Sequence, residues 1–192
     1  MADKTFLNWP FFEDHHRALA AQLEDWATDK LAGVDHSNAD TACKQLVTQL
    51  GRAGILNHSA TDPANPGMLD VRSLCLIRET LARHDGLADF AFAMQGLGTG
   101  AISLFGSDIQ KFEWLSRTRS GEAISAFALT EPQSGSDVAN STMTATEDGK
   151  DFVLNGEKTW ISNGGIADVY TLFARTGEAP GAKGLSAFIL PN

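Results

Sequence analysis

The hydrophobic pattern of this chain changes its period near residue 120, and this change limits the folds that the chain can adopt. Before that point apolar residues recur at helical spacing, as they do in Glu13–Leu31. After Gly121, short apolar or alternating segments are separated by turn residues, which is typical of β-strands. The pattern therefore predicts the α+β class: an all-helical N-terminal domain over residues 1–120, followed by a partial antiparallel β-barrel or sheet domain over residues 121–192.

Polar residues in front of apolar segments predict where the helices begin. Asp40 is predicted to cap a second helix and Asp70 a third, because an aspartate accepts hydrogen bonds from the first free N–H groups of a helix. An apolar helix is predicted over Leu87–Leu104. Ser107 or Asp108 is predicted to open a last helix, whose inward-facing residues would be Ile109, Phe112 and Leu115.

The predicted strands are short and end at turn residues. Asp148-Gly149 would join two of them as a hairpin, because glycine readily adopts the positive φ that tight turns need. Glu157–Ser162 is predicted to be a strand after the turn at Asn155-Gly156. The other strands are predicted at Ala123–Leu129, Ser141–Glu147, Asp151–Leu154, Asp168–Arg175 and Leu185–Leu190. Because the chain stops directly after a strand, which would leave an unpaired sheet edge, we expect it to be part of a longer protein.

Composition excludes several classes of function. The net charge of −9 argues against a nucleic-acid-binding protein, which needs a basic face for phosphates. The chain has no apolar run of about 18 residues, so no membrane span is predicted. Cys43 and Cys75 lack metal-ligand spacing and are expected to be free, mostly buried thiols, as in a protein of the reducing cytoplasm.

Two polar segments are candidates for a binding site. Thr130–Asp137 places hydroxyls, carboxylates and a glycine directly after an apolar strand. Such residues form turns in many proteins, so this segment alone favours an ordinary turn. In the second segment Trp160 and Ser162 would share one face of a strand, where an indole can pack against a flat ring and a hydroxyl can reach its edge. A tryptophan on a strand more often belongs to the core, and the two segments are informative only together.

The two segments together resemble the signatures of the acyl-CoA dehydrogenase family. Phe127–Pro132 with Gly135–Val138 is similar to the first signature of that family, and Gly156–Gly165 is similar to the second. Gly184–Phe188 resembles the strand that follows them. In this family a helical domain precedes a small β-domain, and a C-terminal helical domain closes an FAD site. The resemblance therefore implies FAD as the cofactor and an acyl-CoA thioester as the substrate.

The resemblance also implies roles for individual residues. The backbone of Phe127, Ala128 and Leu129 and the hydroxyl of Thr130 would bind the edge of the isoalloxazine ring. In the second segment Trp160 would shield one face of the ring, Ser162 would donate to its N5 atom, and Ile161 would complete the contact. Ser136 would lie on the acyl-CoA side.

The catalytic base is not implied for any residue of this chain. The base of the family is a glutamate from the C-terminal helical domain, and no position here corresponds to it. Glu131 lies near the expected ring edge, but the matching position of the family is not the base. The chain alone is therefore expected to be inactive, although the family reaction is the α,β-dehydrogenation of an acyl-CoA to the 2-enoyl-CoA.

The resemblance leaves two alternatives open. An acyl-CoA oxidase-like flavoprotein shares the same flavin motifs and passes its electrons to oxygen. A non-catalytic subunit that binds flavin, acyl-CoA or a partner is the alternative from another class. For the dehydrogenase, an electron-transferring flavoprotein or similar acceptor and a homo-oligomer (a tetramer or a dimer) are expected.

Two further motifs suggest chemistry but favour simpler explanations. Gly96–Gly100 resembles a nucleotide-binding loop, but it follows a helical segment, so close helix packing is the preferred interpretation. His15 and His16 are adjacent and would point to different sides of a helix, so they are a poor metal pair. No metal site is predicted.

Overall fold

A computed structural model describes residues 3–65, 67–177 and 179–192 of the chain. The first part is helical, with α1 at Asp14–Lys30, α2 at Ala39–Arg52, α3 at Val71–His84 and α4 at Gly86–Phe105. A last helical stretch consists of α5 at Asp108–Gln110, a π-helical turn at Lys111–Leu115 and α6 at Ser116–Arg119. Short 3-10 turns lie at Thr5–Asn8, Ile55–His58, Val138–Asn140 and Gly181–Gly184.

The helices begin at capping residues, and the sequence predicts two of them, Asp70 and Ser107. The Asp70 carboxylate accepts hydrogen bonds from the N–H groups of Arg72 and Ser73, which confirms the cap of α3. Ser107 caps α5 in a reciprocal capping box with Gln110. The prediction for α2 was wrong, because the cap is the Asn38 side chain, and Asp40 lies inside the first turn.

The long helices enclose a large apolar cluster that extends to the first strand. Its largest members come from all four long helices and from the 3-10 turn after α2, and the cluster includes Leu23, Leu46, Leu50, Leu56, Ile77, Phe92 and Ala126. The core therefore ties the helical part directly to the sheet. No helix in the described ranges combines the length and the apolar character needed to cross a membrane.

The second part is a five-stranded sheet. Its strands are β1 at Ser125–Ala128, β2 at Thr144–Asp148, β3 at Asp151–Asn155, β4 at Val169–Arg175 and β5 at Leu185–Pro191. Along one path the order is β1-β4-β2-β3, and β5 pairs with β4. The turn at Asp148-Gly149 joins β2 to β3 as predicted, with Gly149 at a φ of 66°.

The fold class is confirmed, but the sheet is mixed and not antiparallel throughout. β4 runs parallel to β1, with Ser125 opposite Val169, and it also pairs in parallel with the start of β2. The hairpins β2–β3 and β4–β5 are antiparallel. The parallel pairs arise because about 40 residues separate β1 from β4, which is ample for the crossover that a parallel neighbour requires.

Three local predictions were wrong. Glu157–Ser162 forms no strand and is a loop with a turn. Ile109 and Phe112 are exposed, whereas Leu115 is buried as predicted. Within the wide π-helical turn the adjacent residues Trp114 and Leu115 are both buried, while Phe112 is exposed.

Helix α4 packs closely against the sheet. The buried Gln95 side chain accepts a hydrogen bond from the Ser125 N–H at 2.8 Å. The Thr171 hydroxyl donates to the Gly98 carbonyl at 2.6 Å. The secondary structure changes between Arg119 and Ser125, close to the predicted boundary, while the division into two domains there stays a prediction.

Candidate functional site

The two polar segments meet beyond the carboxyl end of β1. The Thr159 N–H donates to the Thr130 carbonyl at 2.9 Å. The Lys158 ammonium donates to the Leu129 carbonyl, also at 2.9 Å. The segments are far apart in sequence, so these hydrogen bonds bring the predicted residues of both into one region.

A buried ion pair joins the segments below the surface. Lys158 Nζ lies 2.8 Å from Glu131 Oε1, and the two side chains are 7% and 1% exposed. The carboxylate also accepts hydrogen bonds from Gln133 Nε2 and from the N–H groups of Thr142 and Met143. Burial alone would raise the pKa of Glu131, but these hydrogen bonds outweigh it and lower the pKa to about 2.

This pair was not predicted as part of the site. Both residues lie within the two signatures, but the resemblance gives neither of them a role in the site. A glutamate that follows an apolar strand and Thr130, and a lysine between Glu157 and Thr159, give a weak sequence signal, because long charged side chains usually point to solvent.

The first segment offers unpaired hydrogen-bond donors. Among the described residues, the N–H groups of Leu129 and Thr130 have no hydrogen-bond acceptor, and the Thr130 hydroxyl makes no hydrogen bond. Both residues are half-buried, where an unpaired donor is costly. Phe127 packs edge-on against Phe173 at 5.2 Å between ring centroids, and Ala128 is buried. The strand thus ends in an edge that is suited to acceptor atoms of a ligand.

The second segment presents an unusually exposed aromatic side chain. Trp160 is 90% exposed and has a φ of 56°, a conformation that is uncommon for a residue other than glycine. Ser162 is half-buried, and its side chain has no hydrogen-bond partner in the described part of the chain. The expectation that Trp160 and Ser162 share a strand face was wrong, because this segment is held as a loop by Lys158 and Thr159. An exposed indole in a strained conformation suits a platform for a flat ring.

Two neighbouring cavities flank the loop. One has a volume of about 520 Å³ and is lined by mainly apolar side chains that include Ala128, Met143, Ile161, Tyr170 and Leu172. The other has about 400 Å³ and is lined by residues of α2, α4 and the loop, which include Cys43, Phe90, Ile161 and Asn163. Both volumes are within the size range of small-molecule sites. Ile161, Gly164 and Gly165 line both cavities.

Asn163 fixes the far end of the loop. Its φ is 63°, which asparagine tolerates better than most residues. Its amide donates to the Ser125 carbonyl at 3.2 Å and accepts from the Cys43 thiol at 3.6 Å. The loop is therefore held at one end by Lys158 and Thr159 and at the other by Asn163.

Ser136 is not brought to the cleft by any observed contact. It is exposed, and its side chain makes no hydrogen bond within the described residues. Its loop is ordered by neighbours, since the Ser134 hydroxyl donates to the Asp137 carbonyl. The role of Ser136 stays a prediction.

The histidine pair has a different arrangement from the predicted one. The rings of His15 and His16 lie 3.8 Å apart between centroids, and both Nε2 atoms are close to Asp70 Oδ2, at 3.1 Å and 3.0 Å. The claim that they point to different sides was wrong. However, His16 Nδ1 accepts a hydrogen bond from the Glu13 N–H, so in the neutral ring the proton is on Nε2. A metal at Nε2 would require the other tautomer, which would break this capping contact. The cluster therefore suits a helix-to-helix contact better than a metal site.

The site as a whole combines donors without acceptors, free hydroxyls and an exposed aromatic face. These groups fit a flat heteroaromatic ring with acceptor atoms along one edge. In the described part of the site Glu131 is not free to act as a general base, because its buried carboxylate is saturated with hydrogen bonds.

Comparison with known proteins identifies the family of this chain. The family model for the acyl-CoA dehydrogenase N-terminal domain matches residues 13–122, and the model for the middle domain of the same family matches residues 126–192. The chain is 43% identical over 189 residues to the very long-chain specific acyl-CoA dehydrogenase of Rattus norvegicus mitochondria. This alignment covers 94% of the chain and 26% of the rat protein.

Solved structures give the same result. A glutaryl-CoA dehydrogenase from Mycobacterium smegmatis in complex with FADH2 superposes with a TM-score of 0.79 and 30% identity, covering 94% of this chain and 46% of that one. A structure described as the electron transferring flavoprotein of Acidaminococcus fermentans gives a TM-score of 0.81 and 30% identity, covering 94% and 48%. The chain thus spans less than half the length of each of these relatives.

Proposed function

Because this chain belongs to the acyl-CoA dehydrogenase family, we propose that its cleft binds FAD for the α,β-dehydrogenation of an acyl-CoA thioester to the 2-enoyl-CoA. The observation that carries the proposal is the pair of N–H donors at Leu129 and Thr130, which have no acceptor among the described residues, near the segment that holds the exposed ring of Trp160. These are the groups that a flat flavin ring needs along one edge and on one face. The Mycobacterium smegmatis relative, whose structure contains FADH2, supports the assignment.

Each residue of the cleft has a proposed task in holding the ring. The backbone of Phe127, Ala128 and Leu129 and the N–H and hydroxyl of Thr130 would bind the ring edge. From the other loop, the Trp160 indole would cover one face, the Ser162 hydroxyl would donate to N5, and Ile161 would fill the space beneath. When bound, FAD supplies the hydride acceptor at N5, and the protein groups orient and tune it.

The acyl-CoA would enter beside the flavin. The cavity of about 520 Å³ has mainly apolar walls and few polar groups, which suits an acyl chain. Ser136 is proposed to face the CoA part of the substrate. The exclusion of water from such a cavity would strengthen the hydrogen bonds that hold the thioester carbonyl.

The α-proton requires a base other than Glu131. The carboxylate of Glu131 is paired with Lys158 and its pKa is held at about 2, so it has little affinity for a proton at neutral pH. Its task is structural, because it orders both loops. Proton abstraction is therefore assigned to another carboxylate.

Partners and location follow the family resemblance. An electron-transferring flavoprotein or similar acceptor is proposed, and the likeness to the Acidaminococcus fermentans structure, which is described as such a flavoprotein, supports it. The homo-oligomeric state and the cytoplasmic location stay predictions.

The test is an anaerobic absorbance titration of the chain after incubation with FAD. Acyl-CoA thioesters with short, long and branched acyl groups are added, and benzoyl-CoA is the control because it has no saturated α,β-bond to dehydrogenate. We expect bound FAD whose oxidised band bleaches only slowly with the acyl-CoAs and faster when acetate is added as an external base. Benzoyl-CoA should cause no bleaching.

The outcomes separate the alternatives. If the chain binds no FAD, the proposal is wrong. If FAD binds but no acyl-CoA bleaches it even with acetate, the chain is a binding module without dehydrogenation. Rapid reoxidation of the bleached sample in air would assign oxygen as the acceptor, as in an acyl-CoA oxidase-like flavoprotein.

A further inference from the structure

Lys158 forms a hydrogen bond with the backbone at the end of β1. Its ammonium donates to the Leu129 carbonyl at 2.9 Å, and this carbonyl shares a peptide group with the unpaired N–H of Thr130. The described residues contain no cis peptide bond, so the C=O and the N–H of this peptide group point in opposite directions. Lys158 therefore holds one end of a peptide group whose other end faces away from it.

A hydrogen bond to the carbonyl of a peptide group makes the N–H of the same group a stronger donor. A cation at a carbonyl oxygen polarises the amide and makes its N–H a better donor, and this effect is larger where water is excluded. Lys158 is 7% exposed, so its charge is little screened by solvent.

We propose that Lys158 is a positioning residue of the flavin site, which aims and polarises the Thr130 N–H toward the ring of FAD. This inference rests on the proposed function. It assigns to Lys158 a task beyond joining two loops, since the cation would strengthen a donor at the ring edge and favour the negative charge that the ring gains on reduction.

Glu131 completes the device. The ammonium needs a counter-charge to stay buried, and Glu131 provides it at 2.8 Å. The carboxylate is itself held by the backbone N–H groups of Thr142 and Met143 at 2.7 Å and 3.0 Å. The ammonium is thus fixed in place, and the two charges would act on the ring in opposite directions.

The experiment compares charge-removing variants of this pair. Lys158→Met keeps an unbranched side chain that is one atom shorter and removes the charge. Lys150→Met is the control because it removes the same charge from an exposed position in the β2–β3 turn. FAD affinity is measured by quenching of flavin fluorescence, and the reduction potential of bound FAD is measured by equilibration with a reference dye. Lys158→Met should weaken FAD binding about tenfold and make the potential more negative. Lys150→Met should change neither.

Glu131→Gln distinguishes electrostatic tuning from a merely structural role. Removing the negative charge should shift the potential in the positive direction, opposite to Lys158→Met. If both variants shift the potential in the same direction, or neither shifts it, the residue only holds the loops and the proposal is wrong.

Two controls keep the result interpretable. Each variant is first checked by near-UV circular dichroism, and if Lys158→Met does not fold, the double variant Lys158→Met with Glu131→Gln, which leaves no unpaired buried charge, takes its place. The double variant should still bind FAD about tenfold more weakly than the parent, and unchanged affinity would overturn the proposal. If the parent chain itself binds no FAD, the proposed function fails, which is a different result.

Discussion

Alanine at two glycines of α4 should change stability in opposite directions. Gly98 and Gly100 lie two residues apart in the glycine-rich segment of this helix. A Cβ at Gly98 would lie 2.5 Å from Ser125 Oγ, 2.7 Å from Ser125 Cβ and 2.9 Å from Ala126 N. A Cβ at Gly100 would have no neighbour within 4 Å.

The magnitudes follow from two opposing effects. Alanine in place of glycine stabilises a helix by about 1 kcal/mol. At Gly98 this gain competes with overpacking, which costs about 1–3 kcal/mol and here falls at the upper end because two of the three contacts cannot rotate away. Gly98→Ala should therefore destabilise the chain by about 2 kcal/mol. Gly100→Ala should stabilise it by about 0.5–1 kcal/mol.

The assay is urea unfolding followed by circular dichroism at the helical band, and the free energies of unfolding of the three proteins are compared at equal m-value. A Gly98→Ala variant as stable as the parent would refute the close packing of α4 against β1. A Gly100→Ala variant that loses more than about 1 kcal/mol would refute the open position of Gly100.

Three further predictions concern the site and the thiols. Glu131→Gln should lower the free energy of unfolding by about 3 kcal/mol at neutral pH. The pKa of Glu131 is lowered to about 2 in the folded chain, so the stability that its charge contributes is complete above its ordinary pKa of 4.5. This stability is lost as the pH falls through 2. Urea unfolding of both proteins from pH 6 to pH 2.5 should show the gap closing, and a constant gap would contradict the paired charge. Trp160→Gly should leave stability equal or slightly higher, because glycine relieves the positive φ and the exposed indole contributes little buried surface. FAD affinity should fall. A clear loss of thermal stability would mean that the indole belongs to the core. Cys75 is exposed and Cys43 is buried. Burial, and to a smaller extent the charge of Asp40, raises the pKa of the Cys43 thiol. Ellman's reagent should therefore modify one thiol of the native chain quickly, and a Cys75→Ser variant should lose that rapid phase. Equal rates for both thiols would contradict the placement of Cys43 in the core.

The sequence predicts those features that depend on local chemistry. The cap at Asp70 and the turn at Asp148-Gly149 need only the residues around them, and both are confirmed. The helical and strand halves likewise follow from periodicity over many residues. One expectation about burial was wrong for the thiols, since Cys75 is exposed while Cys43 is buried as expected.

The features that the sequence does not predict depend on contacts between distant residues. The loop at Trp160 takes its shape from hydrogen bonds between Lys158 or Thr159 and residues near position 130, and a local pattern contains no trace of them. The parallel pairing of β1 with β4 is similarly non-local. His15 and His16 lie side by side, with both Nε2 atoms near one carboxylate oxygen of Asp70, the cap of α3, and this contact between distant segments has no local signal.

The sequence predicts which segments to expect in the candidate site, but not how they are held together. The signatures pick out two segments that the fold brings into contact, and the role of these segments in binding stays a prediction. The exposed indole, the unpaired N–H groups and the buried ion pair beneath them appear only when the loops are folded. Lys158 and Glu131 lie in the motifs, and the structure shows that they link the two segments through a buried ion pair.

The most direct test of the FAD site is a titration of the ¹⁵N-labelled chain with FAD, followed in the amide and indole N–H region of the NMR spectrum. The chain has four tryptophans, Trp9, Trp26, Trp114 and Trp160, so the indole signals can be assigned by single substitutions. The proposed site predicts that FAD shifts the indole signal of Trp160 and the amide signals of Leu129 and Thr130, while the indole signals of Trp26 and Trp114 stay in place. Shifts confined to the glycine-rich segment of α4, or a Trp160 signal that does not move when FAD is bound, would contradict it.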